Sequence, residues 1–187
     1  MKIDLSVEFC GVKFANPVVL ASGVLGVTAS SLHNVAAHGA GGVTTKSLWL
    51  KEHKGHPNPV IVTTEHFMVN AVGVPDAGIE KAQEEMAAYN KKKKVPIIAN
   101  IIAGRKNDFG AVAEEIAKLQ PDLIEVNISC PNVENQFGKP FACSRDDAAN
   151  VRRGGEEADA GRESGGAKRC DHALKLEHRY SLVKNKL

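Results

Sequence analysis

The chain has 187 residues, a formal net charge of +2 and 43% hydrophobic residues, which together describe one ordinary globular domain. So small a charge gives no argument for nucleic acid or a membrane surface as a partner. No stretch approaches the roughly 18 apolar residues of a membrane span, and the opening MKIDLSVEF lacks the apolar run of a secretory signal, so a cytoplasmic, soluble protein is expected.

In chain order, KIDLSVEF and VKFANPVVL alternate and are joined by CG, the pattern of a small hairpin. PVVLASG (17–23) is an apolar strand that ends in small residues. ASSLHNVAAHG (29–39) has helical spacing and stops at Gly39. GGVTTKSL (41–48) is a second strand, ending in Lys46 and Ser47.

Residues 49–77 interrupt this rhythm with a loop, HKGHPNP, and a second hairpin within VIVTTEHFMVNAVG. A long excursion of this kind in a compact fold is often functional. IEKAQEEMAAYNKKKK (79–94) is a helix whose lysine run complements the helix dipole. VPIIANIIAG (95–104) is a third strand. In the helix NDFGAVAEEIAKL (107–119), Phe109, Val112, Ala113, Ile116 and Leu119 share one face. PDLIEVNISCPN is the fourth strand with its loop.

Strands alternating with helices imply an α/β fold with a parallel sheet. ASGVLG after the first strand lacks the GxGxxG spacing of a dinucleotide-binding fold, so a (β/α) barrel is expected. Residues 1–150 would form its N-terminal half. From Val151 to Leu187 the chain has no Ile, Phe, Met or Trp and is dominated by charge and glycine, the composition of a disordered tail. So abrupt a switch is what a shifted reading frame or a misplaced gene end would produce.

The expected strands end in Ser22, in Lys46 with Ser47, in Asn100, and in Asn127 through Asn132. Barrel strands gather their carboxyl ends at one mouth, where active sites form; the alternative is that these groups cap loops and helices. Asn70, Asn127 and Asn132 have the donors and acceptors to frame a flat heterocycle. Lys46 would offer charge to an anion. Cys130, on a tight polar loop, would serve as base or nucleophile if its thiolate is stabilised. Cys10, Cys143 and Cys170 complete the cysteines; none forms a CxxC pair, so no metal site is expected, and Cys143 reads as a buried thiol.

NPVVLASG, TTKSL, NAVGVP, ANIIAG and NISCPNV, in that order, resemble the flavin-dependent dihydroorotate dehydrogenases. The resemblance implies a (β/α)8 barrel holding FMN, which oxidises dihydroorotate to orotate in pyrimidine biosynthesis. It implies Cys130 as the catalytic base. It implies Lys46, Asn70, Ala71, Val72, Gly73, Val74, Asn127 and Asn132 around the substrate. Flavin contacts would come from Ala21, Ser22, Gly23, Lys46, Ser47, Asn100 and Asn127.

A cysteine base resembles the soluble class, and NVENQFGKPFACSRDDAAN its NAD-linked subclass. The implied partner is a separate electron-transfer subunit with FAD and an iron–sulfur cluster, with homo-oligomers in the full-length form. Later strands and phosphate loops of the family pattern are absent from this sequence. Two further readings stay open: a non-catalytic barrel fragment, and a flavin domain like that of dihydropyrimidine dehydrogenase.

Overall fold

The computed structural model of the chain describes residues 3–105, 108–128 and 130. The first hairpin pairs β1 (Val7–Phe9) antiparallel with β2 (Val12–Phe14). Its turn residues Cys10 and Gly11 have φ of 51° and 75°, the left-handed pair that matches the twist of a tight hairpin. Four parallel strands follow in sheet order β3 (Val19–Leu20), β4 (Gly42–Thr44), β7 (Ile97–Ile101) and β8 (Leu123–Val126). Between β4 and β7 lies a second antiparallel hairpin, β5 (Ile61–Thr63) and β6 (Met68–Asn70).

The helices are α1 (Ala29–Ala37), α2 (Ile79–Asn90) and α3 (Asp108–Ala117). Each turns an apolar stripe to the sheet: Ala29, Leu32 and Ala36; Ala82, Met86 and Tyr89; Phe109, Val112 and Ile116. These residues share one core with Val43, Ile97, Ala99, Ile101 and Ile124. The opposite sheet face, through Ile98 and Leu123, packs instead on Phe14 of the first hairpin. A doubly wound fold covers both sheet faces with helices, whereas a barrel keeps them outside. Helices on one face and a hairpin plug on the other are the arrangement of a partial (β/α) barrel.

The plug is close-fitting. Phe14 is 2% exposed, and a Cβ built on Gly42 would lie 2.6 Å from its ring. Glycine at 42 is therefore what lets the hairpin seat against β4. Ile98 pairs with Leu123 where β8 begins, so the plug sits at the amino end of the strands and leaves the carboxyl end for other use.

Several element ends differ from expectation. The helix expected over 79–94 stops at Asn90. Four consecutive lysines repel one another in a last turn, and Pro96 disfavours helix at Val95. Lys93 leaves the helix to pair with Asp122 at 2.6 Å, and the Tyr89 hydroxyl donates to the Val95 carbonyl at 2.9 Å. The helix expected through 119 stops at Ala117, with Gln120 at φ 54° ending it in the left-handed region. α1 ends at Ala37, with Gly39 at φ 96° beyond its cap. The expected strands 17–23, 41–48 and 95–104 are also too long: the continuous strands end at Leu20, Thr44 and Ile101, and Leu48 rejoins the sheet by a single parallel bridge to Ile101. Asn132, Cys143, Cys170 and the expected tail from Val151 lie outside the described residues.

Candidate active site at the carboxyl ends of the strands

β7 is buried along its whole length, so each side chain on it must be satisfied inside the protein. On the face away from the helices, Ile98 is followed two residues on by Asn100. Its β8 partner Leu123 is likewise followed by Glu125. This inner face therefore passes from apolar to polar toward the carboxyl end. Asn100 lies within β7, one residue before its end, rather than at a strand terminus as expected from the sequence.

The Asn100 amide nitrogen donates to the Glu125 carboxylate. Its backbone N–H donates to Thr45 Oγ1 at 3.0 Å, and its carbonyl accepts from Leu48 N at 2.9 Å. Its side-chain Oδ1 is buried with no hydrogen-bond partner among the described residues. A buried acceptor left unmade costs about 1–3 kcal/mol, so this atom calls for an external hydrogen-bond donor.

Ser47 is buried, and its Oγ accepts from Asn127 Nδ2 at 2.9 Å across 80 positions of sequence. Asn127 N donates to the Ile101 carbonyl at 2.8 Å. Ser47, Asn100 and Asn127 are thus knitted together by the chain just past β4, by β7 and by the end of β8. Past β3, a short 3-10 turn, Val24–Gly26, folds onto the end of β4. The Gly26 carbonyl accepts from Lys46 N at 2.9 Å, and a Cβ on Gly26 would lie 2.4 Å from that nitrogen. Ser22 and Gly23 are half-buried, Ala21 is exposed, and a Cβ built on Gly23 meets nothing within 4 Å.

Cys130 is a free thiol, half-buried against the edge of the main core beside Ile128. Asn70 ends β6 on an exposed hairpin. After it, Ala71 N donates to the Val60 carbonyl at 2.9 Å, and the Val72 carbonyl accepts from His56 N at 3.1 Å. Gly73 is buried with φ 74°, and Val74 has φ 50°.

A cleft of about 550 Å³ opens beside Lys46, walled by Leu32, Leu48, His53, Asp76 and Met86 among others. Of the candidate residues that are described, Lys46 alone lines it. It lies on the helix side of the sheet, so the inner face at the strand ends is the better candidate site. Thr45 and Glu125 were not singled out from the sequence. A lone carboxylate inside the apolar run LIEV was the available signal for Glu125.

Residues 4–153 match the family model described as dihydroorotate dehydrogenase. The chain belongs to the dihydroorotate dehydrogenase family. It is 40% identical over 133 residues to the protein of Methanocaldococcus jannaschii named dihydroorotate dehydrogenase B (NAD(+)), catalytic subunit, covering 70% of this chain and 43% of that one. The protein of the same name from Pyrococcus abyssi is 39% identical over 131 residues, covering 70% and 42%. The chain thus spans less than half the length of these curated relatives. Ligand-free DHODH from Eimeria tenella superposes with a TM-score of 0.72 at 21% identity, covering 87% of this chain and 48% of that one. The ferulenol complex of the Eimeria tenella protein gives 0.69, also at 21% identity, covering 84% and 44%. These two likenesses establish the fold, part of a (β/α)8 barrel.

Dihydroorotate dehydrogenases are generally flavin-dependent. Among the described residues there is no cluster of three or more His, Cys, Asp or Glu that could hold a metal, and no helix is long and apolar enough to cross a membrane.

Proposed function

We propose that the chain carries the amino-terminal part of the FMN and substrate site of a dihydroorotate dehydrogenase that oxidises dihydroorotate to orotate in pyrimidine biosynthesis. The observation that carries this is the buried, unpartnered Asn100 Oδ1, held by Glu125 and Thr45 beside the Ser47–Asn127 pair. An isoalloxazine presents an imide N–H between two carbonyls, and an acceptor beside amide and hydroxyl donors suits that edge. The open space at Gly23 leaves room for a flat ring to approach the backbone. Ala21, Ser22, Gly23, Lys46, Ser47, Asn100 and Asn127 would hold the cofactor.

When bound, the flavin supplies the hydride acceptor for the substrate C6. The residues of the chain do the rest. Lys46 offers its ammonium to the substrate carboxylate. Asn127 and the segment Asn70–Val74 orient the pyrimidine through amide and backbone groups, and Asn132 adds a further amide. Cys130, as thiolate, takes the proton from C5.

The name of the curated relatives, a catalytic subunit of an NAD(+) enzyme, supports a partner subunit; by the family resemblance that partner would be an electron-transfer subunit carrying FAD and an iron–sulfur cluster. A homo-oligomer in the cytoplasm completes the proposal.

Titration of FMN into the purified 187-residue chain, read by flavin fluorescence, tests the reading. Saturable binding weakened about tenfold by Asn100→Ala supports it, since one hydrogen bond is worth roughly that factor. No uptake of flavin overturns it. In a flavin-loaded sample, turnover of dihydrouracil in preference to dihydroorotate would move the substrate assignment to the dihydropyrimidine class. In a full-length form of the protein, Cys130→Ala should abolish turnover while leaving FMN bound.

A further inference from the structure

The excursion after β4 is exposed over much of its length, yet one part of it is held from several sides. His53 and Asp76 exchange backbone hydrogen bonds at 2.9 and 2.8 Å, an isolated antiparallel bridge. Three residues on, His56 N donates to the Val72 carbonyl, and a Cβ on Gly73 would lie 2.7 Å from His56 N. The two stretches therefore run against each other in one register, with glycine required at the closest point.

The Val74 carbonyl is the focus. It accepts from Trp49 Nε1 at 2.9 Å and faces His53 Nδ1 at 3.2 Å. A carbonyl only accepts, so His53 carries its proton on Nδ1 here, and both lone pairs of Val74 are used. The two rings stack, with centroids 4.3 Å apart and planes 9° from parallel. On the other side of Pro75, the Asp76 carboxylate accepts from Trp49 N and from Gly78 N, each at 3.0 Å.

Val74 itself has φ 50°, and a β-branched residue rarely enters that region. Such a conformation persists only where its surroundings hold it, and it clusters at ligand sites. Val74 is half-buried against the main core, in a loop between a hairpin and a helix.

We infer that Trp49 and His53 are positioning residues, whose stacked rings grip the Val74 carbonyl and so hold the 71–74 backbone in the one conformation that receives a planar pyrimidine carboxylate. The ligand part of this inference rests on the function proposed above. Neither ring touches the ligand: they act through the peptide plane that they fix.

The test uses the full 187-residue chain with Trp49→Phe, His53→Ala and His53→Asn. Phe keeps the stack and loses the N–H, whereas Asn puts an amide N–H where Nδ1–H stood. Hydrogen exchange is followed over 71–78 and over β7, and orotate affinity is measured by calorimetry. Trp49→Phe and His53→Ala should speed exchange over 71–78 and weaken orotate, each by about tenfold, the factor expected for one lost hydrogen bond. β7 should stay protected, and His53→Asn should restore both readings.

Unchanged exchange and affinity in Trp49→Phe and His53→Ala would overturn the inference. So would loosening that extends to β7, which would make the rings merely structural. If the wild-type chain binds no orotate while 71–78 loosens selectively, the clamp stands and the pyrimidine carboxylate falls, together with the substrate reading on which it rests.

Discussion

The two hairpins of this protein are built alike and end up in opposite situations. β1–β2 and β5–β6 each pair three residues antiparallel. The first sends Phe14 into the sheet beside Ile98 and Leu123, where it is 2% exposed. The second leaves Ile61, Val62, Phe67, Met68 and Val69 between 50% and 64% exposed. Its turn is held locally: Thr64 Oγ1 accepts from His66 N and Phe67 N, and Thr64 N donates to the Phe67 carbonyl at 2.8 Å. A hairpin is thus a local decision, made by turn chemistry and pairing. What it contributes to stability depends on what it meets.

Substitutions on the two hairpins should separate these effects, and the largest belongs to the plug. Phe14→Ala should remove about 3–5 kcal/mol in urea denaturation, because it empties a ring-sized space between two strands. A loss below about 1 kcal/mol would mean that the plug is dispensable and that the contrast between the hairpins is false.

An intermediate effect comes from Tyr89, a buried residue with a polar end that neither hairpin has. Burial foremost pushes its hydroxyl up to about 12, helped by the charge of Asp122. The folded protein therefore keeps this proton where the unfolded chain has released it. The stabilisation is complete below pH about 10, the ordinary tyrosine value, and is lost as pH climbs toward 12, by up to roughly 3 kcal/mol. Unfolding followed from pH 9 to 12 should show this fall, and Tyr89→Phe should flatten it.

The smallest effect is expected on the exposed hairpin. Phe67→Ser, at a position 61% exposed, should change stability by less than about 0.5 kcal/mol. The same variant should lower light scattering at high concentration, since it breaks an exposed apolar patch. A stability loss near that of Phe14→Ala would show that β5–β6 is covered in solution.

Much of the fold was legible because apolar periodicity is a direct record of burial. Phe109, Val112 and Ile116 repeat at helical steps and are the buried face of α3. The run IIANI reads as a strand buried on both faces and is one. Element ends were less legible, because they depend on partners far along the chain: Lys93 leaves α2 for Asp122, and Asn100 continues β7 through Thr45.

Of the candidate site, Ser47, Asn100 and Asn127 were recognisable by type and order, and their hydrogen bonds were not. Glu125 was hidden because one carboxylate in an apolar run has no meaning until its neighbour across the sheet is known. Trp49 and His53 were hidden for the same reason, since the carbonyl they share belongs to a residue more than twenty positions away.

By itself, then, the amino-acid order determined the alternation of strands and helices, the parallel sheet and the family motifs. Each of these depends on side-chain periodicity or on residue type at short range. Only the tertiary structure decided which face the helices cover, which hairpin is buried, which acceptor is left open at Asn100 and which rings hold Val74. Those outcomes depend on contacts between distant segments, where direction and distance matter and sequence spacing says nothing.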